Sequence, residues 1–98
     1  MPFKNKYGRF QLPWTLYILE CADRTLYTGI TNDLEKRLAA HETGRGAKYT
    51  RGRGPFMLRY TENHRTKGFA LKREAVIKSL GRAQKIQLLA EAKAILPR

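Results

Sequence analysis

The chain has 98 residues, 42% of them hydrophobic, and carries 20 Lys and Arg against 8 Asp and Glu, a formal net charge of +12. That length leaves room for one domain and no second core, and the apolar fraction excludes wholesale disorder. The charge points to a polyanion partner, because each Lys or Arg set on a phosphate releases condensed counterions; an excess kept only for solubility is the plainer alternative.

Residues 1–13 read as a basic N-terminal arm, partly disordered at its tip, ahead of a domain over residues 14–96. The arm lacks the apolar stretch of a secretory signal. Trp14 to Glu20 is a short apolar and aromatic run, which suits a strand buried on both faces. Cys21, the single cysteine, excludes a disulfide framework and a cysteine zinc set, and a cytoplasmic setting fits. Ala22-Asp23-Arg24 supplies a turn and Thr25 to Ile30 a second strand, so an antiparallel hairpin is the economical pairing. Gly29 near its end permits unusual dihedrals or a close approach to the backbone.

Asn32 is the expected N-cap of the first helix, with Glu35 three residues later completing a capping box. Leu34 and Leu38 form its core stripe, and Gly44 ends it. Residues 43–55, TGRGAKYTRGRGP, hold four glycines and four basic residues, the composition of a loop. Phe56 to Thr61 reads as a third strand, residues 62–68 as a turn with Thr66 as a cap, and a second helix runs from Lys67 or Gly68 to Leu80. Gly81 breaks it. Arg82 to Leu96 forms a last helix that Pro97 stops. That helix has no aromatic residue on an apolar face, and no run of about 18 apolar residues exists, so no membrane partner is expected. The fold expected is α/β: a small three-stranded antiparallel sheet flanked by helices, in the order β-β-α-β-α-α.

Five side chains carry possible chemistry. Tyr17 and Tyr27 sit on the two hairpin strands, where register decides whether they share a face; tyrosine is also an ordinary packing residue in strands. Arg37 and His41 are four apart on the first helix and share a face. Arg37 borders the core stripe, where it could hold a phosphate or simply snorkel outward. His41 near a helix C-terminus is favourable for dipole reasons alone. Glu74 falls among Ala70, Leu71 and Ile77 on a helical wheel, a costly place for an unpaired carboxylate. It could pair with Lys78, or bind Mg²⁺ with phosphate and water oxygens completing the shell.

The runs TLYIL at 15–19 and LYTG at 26–29, followed by Arg37 and Glu74, resemble the GIY-YIG nuclease superfamily over about residues 14–90. The size and the GRGAKYTRGRGP segment look closest to small single-domain bacterial members related to structure-specific endonucleases. Thr15-Leu16 replaces Gly-Ile in the first motif and Thr28 replaces the central Ile of the second. Many members carry a late Asn after the glutamate; here no Asn follows Asn63, and Gln84 is the available substitute.

The resemblance implies metal-assisted hydrolysis of phosphodiester bonds. Glu74 would bind Mg²⁺, with Mn²⁺ as a second option. Tyr17 would help deprotonate the attacking water, its pKa lowered by cations such as Arg37, which would also neutralise charge on the phosphate. Tyr27 would orient water or phosphate, His41 relay a proton or touch the DNA backbone, and Gly29 let the strand bend away. Lys48, Arg51 and Arg53 are candidates for phosphate contacts, with Tyr49 able to stack on an exposed base; a flexible basic loop without fixed contacts is the alternative. The expected substrate is branched, nicked or single-stranded DNA in repair or recombination. Competing readings are a non-catalytic nucleic-acid-binding module and a subunit that needs a protein partner or a second copy.

Overall fold

The computed structural model describes residues 3–4 and 10–95. Among the described residues, five strands and three α-helices follow the chain. Strands β1 (Phe3–Lys4) and β2 (Phe10–Gln11) pair with each other, so the described part of the arm is a two-residue ladder. Its tip lies outside the described residues. Strands β3 (Trp14–Glu20), β4 (Leu26–Thr31) and β5 (Met57–His64) form an antiparallel sheet in the order β4-β3-β5. Helices α1 (Leu34–Glu42), α2 (Lys67–Lys78) and α3 (Arg82–Ile95) flank it. The expected class and element order are those of the structure.

Strand β3 is central and buried from Thr15 to Leu19, as its unbroken apolar run implies. Its even positions, Leu16 and Ile18, face α2 and α3, where they form the core with Ile77 and Leu89. Leu26, Ile30, Tyr60 and Leu88 close around that cluster. The odd positions, Thr15, Tyr17 and Leu19, must point to the other face. That face carries the candidate site.

The β3–β4 turn is built by Asp23, whose Oδ1 accepts from the Thr25 amide at 3.2 Å and the Thr25 hydroxyl at 2.6 Å. Arg24 takes a left-handed φ of 70° there, as the last residue of such a short loop does. Helix α1 is capped by Asp33, not Asn32: its Oδ1 accepts from the Lys36 amide at 3.1 Å. A carboxylate at this point also meets the positive end of the helix dipole. Leu34 and Leu38 are only partly buried, and the buried residue of α1 is His41. Gly44, with φ 77°, ends the helix as expected.

Strand β5 runs three residues past Thr61, because Glu62, Asn63 and His64 pair with Leu16, Thr15 and Trp14. Polar composition alone suggested a turn there; one exposed strand face tolerates it. A bulge between Ile18 and Leu19 sets Tyr60 opposite Ile18 but Leu58 opposite Leu19. Leu58 is thereby turned to the α1 side, lining a cleft with Leu19, Leu38, Glu42 and Phe56. Thr66 caps α2 by accepting from the Phe69 amide.

Candidate active site

The β3–β4 register decides the fate of the two tyrosines. Tyr17 lies opposite Gly29, and Tyr27 lies opposite Leu19. Directly opposed residues share a face and so do residues two apart, so both rings stand on the α1 face as diagonal neighbours. Their centroids are 6.2 Å apart. Gly29 is the floor beneath them: its missing side chain is what lets the Tyr17 ring lie flat across the strand. A side chain at this position would meet both rings.

Arg37 and His41 reach this face from α1. The Tyr17 hydroxyl is 2.7 Å from His41 Nε2, and Arg37 Nε–H donates to the same phenol oxygen at 3.4 Å. The arginine also lies beside Tyr27, whose hydroxyl helps hold the guanidinium charged. His41 is 1% exposed, ringed by Tyr17, Tyr27 and Phe56 at centroid distances of 5.7, 5.3 and 6.0 Å. Its Nδ1 meets the Thr50 hydroxyl at 2.8 Å. Tyr17, Tyr27, Arg37 and His41 thus form one group.

The electrostatics differ from the expectation. Tyr17 is fully buried, and desolvation pushes its pKa up to about 12 against the lowering influence of Arg37. Removing the phenol from water costs the anion more than one guanidinium returns. The resting side chain is a neutral phenol. Burial, with Arg37 second, holds His41 below the ordinary imidazole value, so it too is neutral at pH 7.

The basic segment wraps the same face. Its residues Lys48–Thr50 form a turn of 3₁₀ helix. Tyr49 stacks on Tyr27 at 5.9 Å, and the Arg53 guanidinium covers its ring at 4.5 Å. Tyr49 remains 44% exposed beneath these contacts. Arg53 in turn pairs with Asp23 at 2.6 Å, and its carbonyl accepts from the Ala22 amide at 2.8 Å. This end of the segment has fixed contacts. Lys48 and Arg51 are exposed and have no ion-pair partner among the described residues.

Glu74 stands apart. Helix α2 lies over β3 and β4 on the Leu16 and Ile18 side, and no hydrogen bond joins Glu74 to the tyrosine group. Its side chain is 18% exposed and pairs with Lys78 at 3.4 Å. Among the described residues no three of His, Cys, Asp and Glu converge as a metal cage. A lone, partly open carboxylate suits a hard cation that keeps waters and takes phosphate oxygens, and does not suit zinc. Gln84 is otherwise engaged, its Oε1 accepting from the Gly81 amide at 3.0 Å at the start of α3. Sequence reasoning missed Thr50 and Gly46. Thr50 sat unmarked among arginines and glycines, and no local pattern ties it to His41. An added Cβ on Gly46 would fall 2.3 Å from His41 Nδ1.

A family model for the GIY-YIG catalytic domain matches residues 13–87. A UPF0213 protein of Natronomonas pharaonis is 54% identical over 76 residues, which is 78% of this chain and 89% of that protein. One from Clostridium perfringens is 58% identical over 74 residues, 76% of this chain and 80% of its own. The solution structure of a UPF0213 protein from Bacillus halodurans superposes with a TM-score of 0.53 at 47% identity, covering 79% of this chain and 82% of the other. Among the described residues, no helix is long and apolar enough to cross a membrane.

Proposed function

The chain belongs to the GIY-YIG family, alongside the UPF0213 proteins, and from that premise we propose that it is an endonuclease hydrolysing phosphodiester bonds in DNA. The observation that carries this reading is the buried Tyr17 hydroxyl, held 2.7 Å from His41 Nε2 and 3.4 Å from a guanidinium. A packing tyrosine needs neither neighbour.

The chemistry follows from the neutral resting state. A phenol pushed up to about 12 is not a standing base at pH 7. Tyr17 instead relays once substrate binding opens its buried hydroxyl to the attacking water: as water attacks phosphorus, the water proton passes to the Tyr17 oxygen while the Tyr17 proton passes to His41 Nε2. The new P–O bond forms as the P–O3′ bond breaks, and the leaving 3′ oxygen takes a proton from solvent. Arg37 Nε–H supports the phenol oxygen while negative charge passes through it, and the other guanidinium donors neutralise the crowded phosphate. Tyr27 orients the phosphate or the water. Glu74 is the residue that would hold a divalent cation, Mg²⁺ or Mn²⁺, which when bound supplies Lewis-acid stabilisation of the leaving oxygen.

The exposed Lys48 and Arg51 give the strand its phosphate contacts, and among the described residues no element presents a helix for the major groove. Selection is therefore by shape, on branched, nicked or single-stranded DNA, in cytoplasmic repair or recombination. The domain that acts spans residues 14–96.

The test is cleavage of labelled single-stranded, duplex, nicked, flap and four-way DNA with Mg²⁺, Mn²⁺ or EDTA. Tyr17→Phe and Glu74→Ala run beside the native chain. Cleavage that needs metal and disappears in both variants supports the proposal. Binding without cleavage of any substrate would overturn it in favour of a partner-dependent or non-catalytic module.

A further inference from the structure

We propose that Thr50, seated by the Gly46–Ala47 backbone, fixes His41 as the Nδ1–H tautomer and so leaves Nε2 as the acceptor for the Tyr17 proton. Thr50 is then a positioning residue. Its catalytic consequence rests on the hydrolysis proposed above, while the tautomer itself does not.

The inference comes from counting protons. A threonine hydroxyl has one proton to give. The Thr50 hydroxyl donates it to the Ala47 carbonyl at 2.9 Å, and a carbonyl can only accept. Toward His41 Nδ1, 2.8 Å away, the Thr50 oxygen is left to accept, so Nδ1 carries a proton. A neutral imidazole has one N–H, which leaves Nε2 bare. The Tyr17 hydroxyl at 2.7 Å then donates to Nε2, and its oxygen is free to accept from Arg37 Nε–H. Donation runs in one direction, from Arg37 through Tyr17, His41 and Thr50 to Ala47. The opposite tautomer would aim two N–H groups at the Tyr17 oxygen and turn the Thr50 proton away from its carbonyl.

Thr50 and His41 are each 1% exposed, so water cannot stand in for either partner. Gly46 sets the distance. An added Cβ would lie 2.3 Å from Nδ1 and 2.8 Å from Cγ of the ring, so only glycine lets the loop close this tightly on the imidazole. The segment read from sequence as a phosphate-binding loop therefore has an inner edge, Gly46 to Thr50, that holds the histidine.

The test is the tautomer of His41 by long-range ¹H–¹⁵N correlation on the full chain at mildly alkaline pH, with His64 as the second imidazole in the same spectrum. The native chain and Thr50→Ser should show protonated Nδ1 and bare Nε2. Thr50→Val keeps the shape, loses the hydroxyl, and should shift His41 toward the Nε2–H form. Cleavage by Thr50→Val should fall about 10–100-fold in kcat with KM little changed, by analogy with the loss of a partner that orients a metal-bound imidazole, and Thr50→Ser should restore it. A native chain with protonated Nε2, or a Thr50→Val spectrum like the native one, overturns the inference. Should Thr50→Val not fold, the native chain and Thr50→Ser still decide it. Protonated Nδ1 in a chain that cuts no DNA would sink the nuclease reading and leave this one standing.

Discussion

The Tyr17 ring rests on Gly29: a methyl group placed on the glycine would lie 2.7 Å from the phenol oxygen and 2.8 Å from Cζ. The glycine of the second motif and the tyrosine of the first are one contact across the β3–β4 ladder. Gly29→Ala should therefore displace the ring from His41. The expected cost is about 1–3 kcal/mol of stability, as for overpacking elsewhere. Cleavage should drop far more than the melting temperature implies. Urea unfolding beside a cleavage assay measures both, and native stability in the variant would show that the ring has room to move.

The buried titrating groups give opposite limbs of pH dependence. His41 has a folded pKa below its ordinary 6.5, so its contribution to stability is present above 6.5 and is lost as pH falls below it, where the unfolded chain takes up the proton first. Tyr17, raised from 10.0 to about 12, contributes fully below pH 10 and loses that contribution as pH climbs through the window to about 12. Unfolding free energy measured across pH should decline at both ends. His41→Gln should flatten the acid limb and Tyr17→Phe the alkaline one. The acid limb of cleavage should also lie below 6.5.

Glu74→Gln separates structure from chemistry. The pair with Lys78 is an i,i+4 helix contact with the lysine half-exposed, worth about 0.3–0.5 kcal/mol at most. The melting temperature should barely change while metal-dependent cleavage is lost. A large drop in stability with activity retained would make Glu74 a structural residue and nothing more.

The basic loop should divide into two functional halves. Lys48→Ala and Arg51→Ala should each weaken DNA binding uniformly across substrates and reduce the salt slope by about 1. Arg53→Ala breaks the Asp23 pair and uncovers Tyr49, so it should lower stability and leave the salt slope nearly intact. Binding isotherms at several salt concentrations distinguish the two. Equal slope changes for Arg51 and Arg53 would mean that Arg53 leaves Asp23 when DNA arrives.

Much of this was legible in the sequence because local rules and global packing agree. The apolar run of β3, the Asp23 turn and the Gly44 stop each follow from neighbouring residues alone, and each stands in the structure. The tyrosines, Arg37 and His41 could be picked out because short motifs on a hairpin and one helix face name them. What escaped depends on contacts between distant segments. The β5 bulge, which turns Leu58 to the other face, has no mark in the string MLRYT. The raised Tyr17 follows from how completely the sheet and α1 enclose it, which charge counting cannot show. Thr50 meets His41 only after the loop folds back across nine residues. Asn32 and Asp33 are both good caps by residue type, and which of them caps α1 shows only in the structure, where Asp33 does.

Because β3 sends Leu16 and Ile18 to one side and Tyr17 to the other, reactive and structural positions alternate along a single stretch of backbone. No graft can lift this chemistry onto another support without carrying its fold along. A one-residue insertion within Thr15–Leu19 would invert the arrangement, seating the phenol against Ile77 and presenting a leucine to His41. Descendants of such a chain can therefore vary freely in their loops and helix exteriors, but along this strand they accept replacement in place and not a change of length.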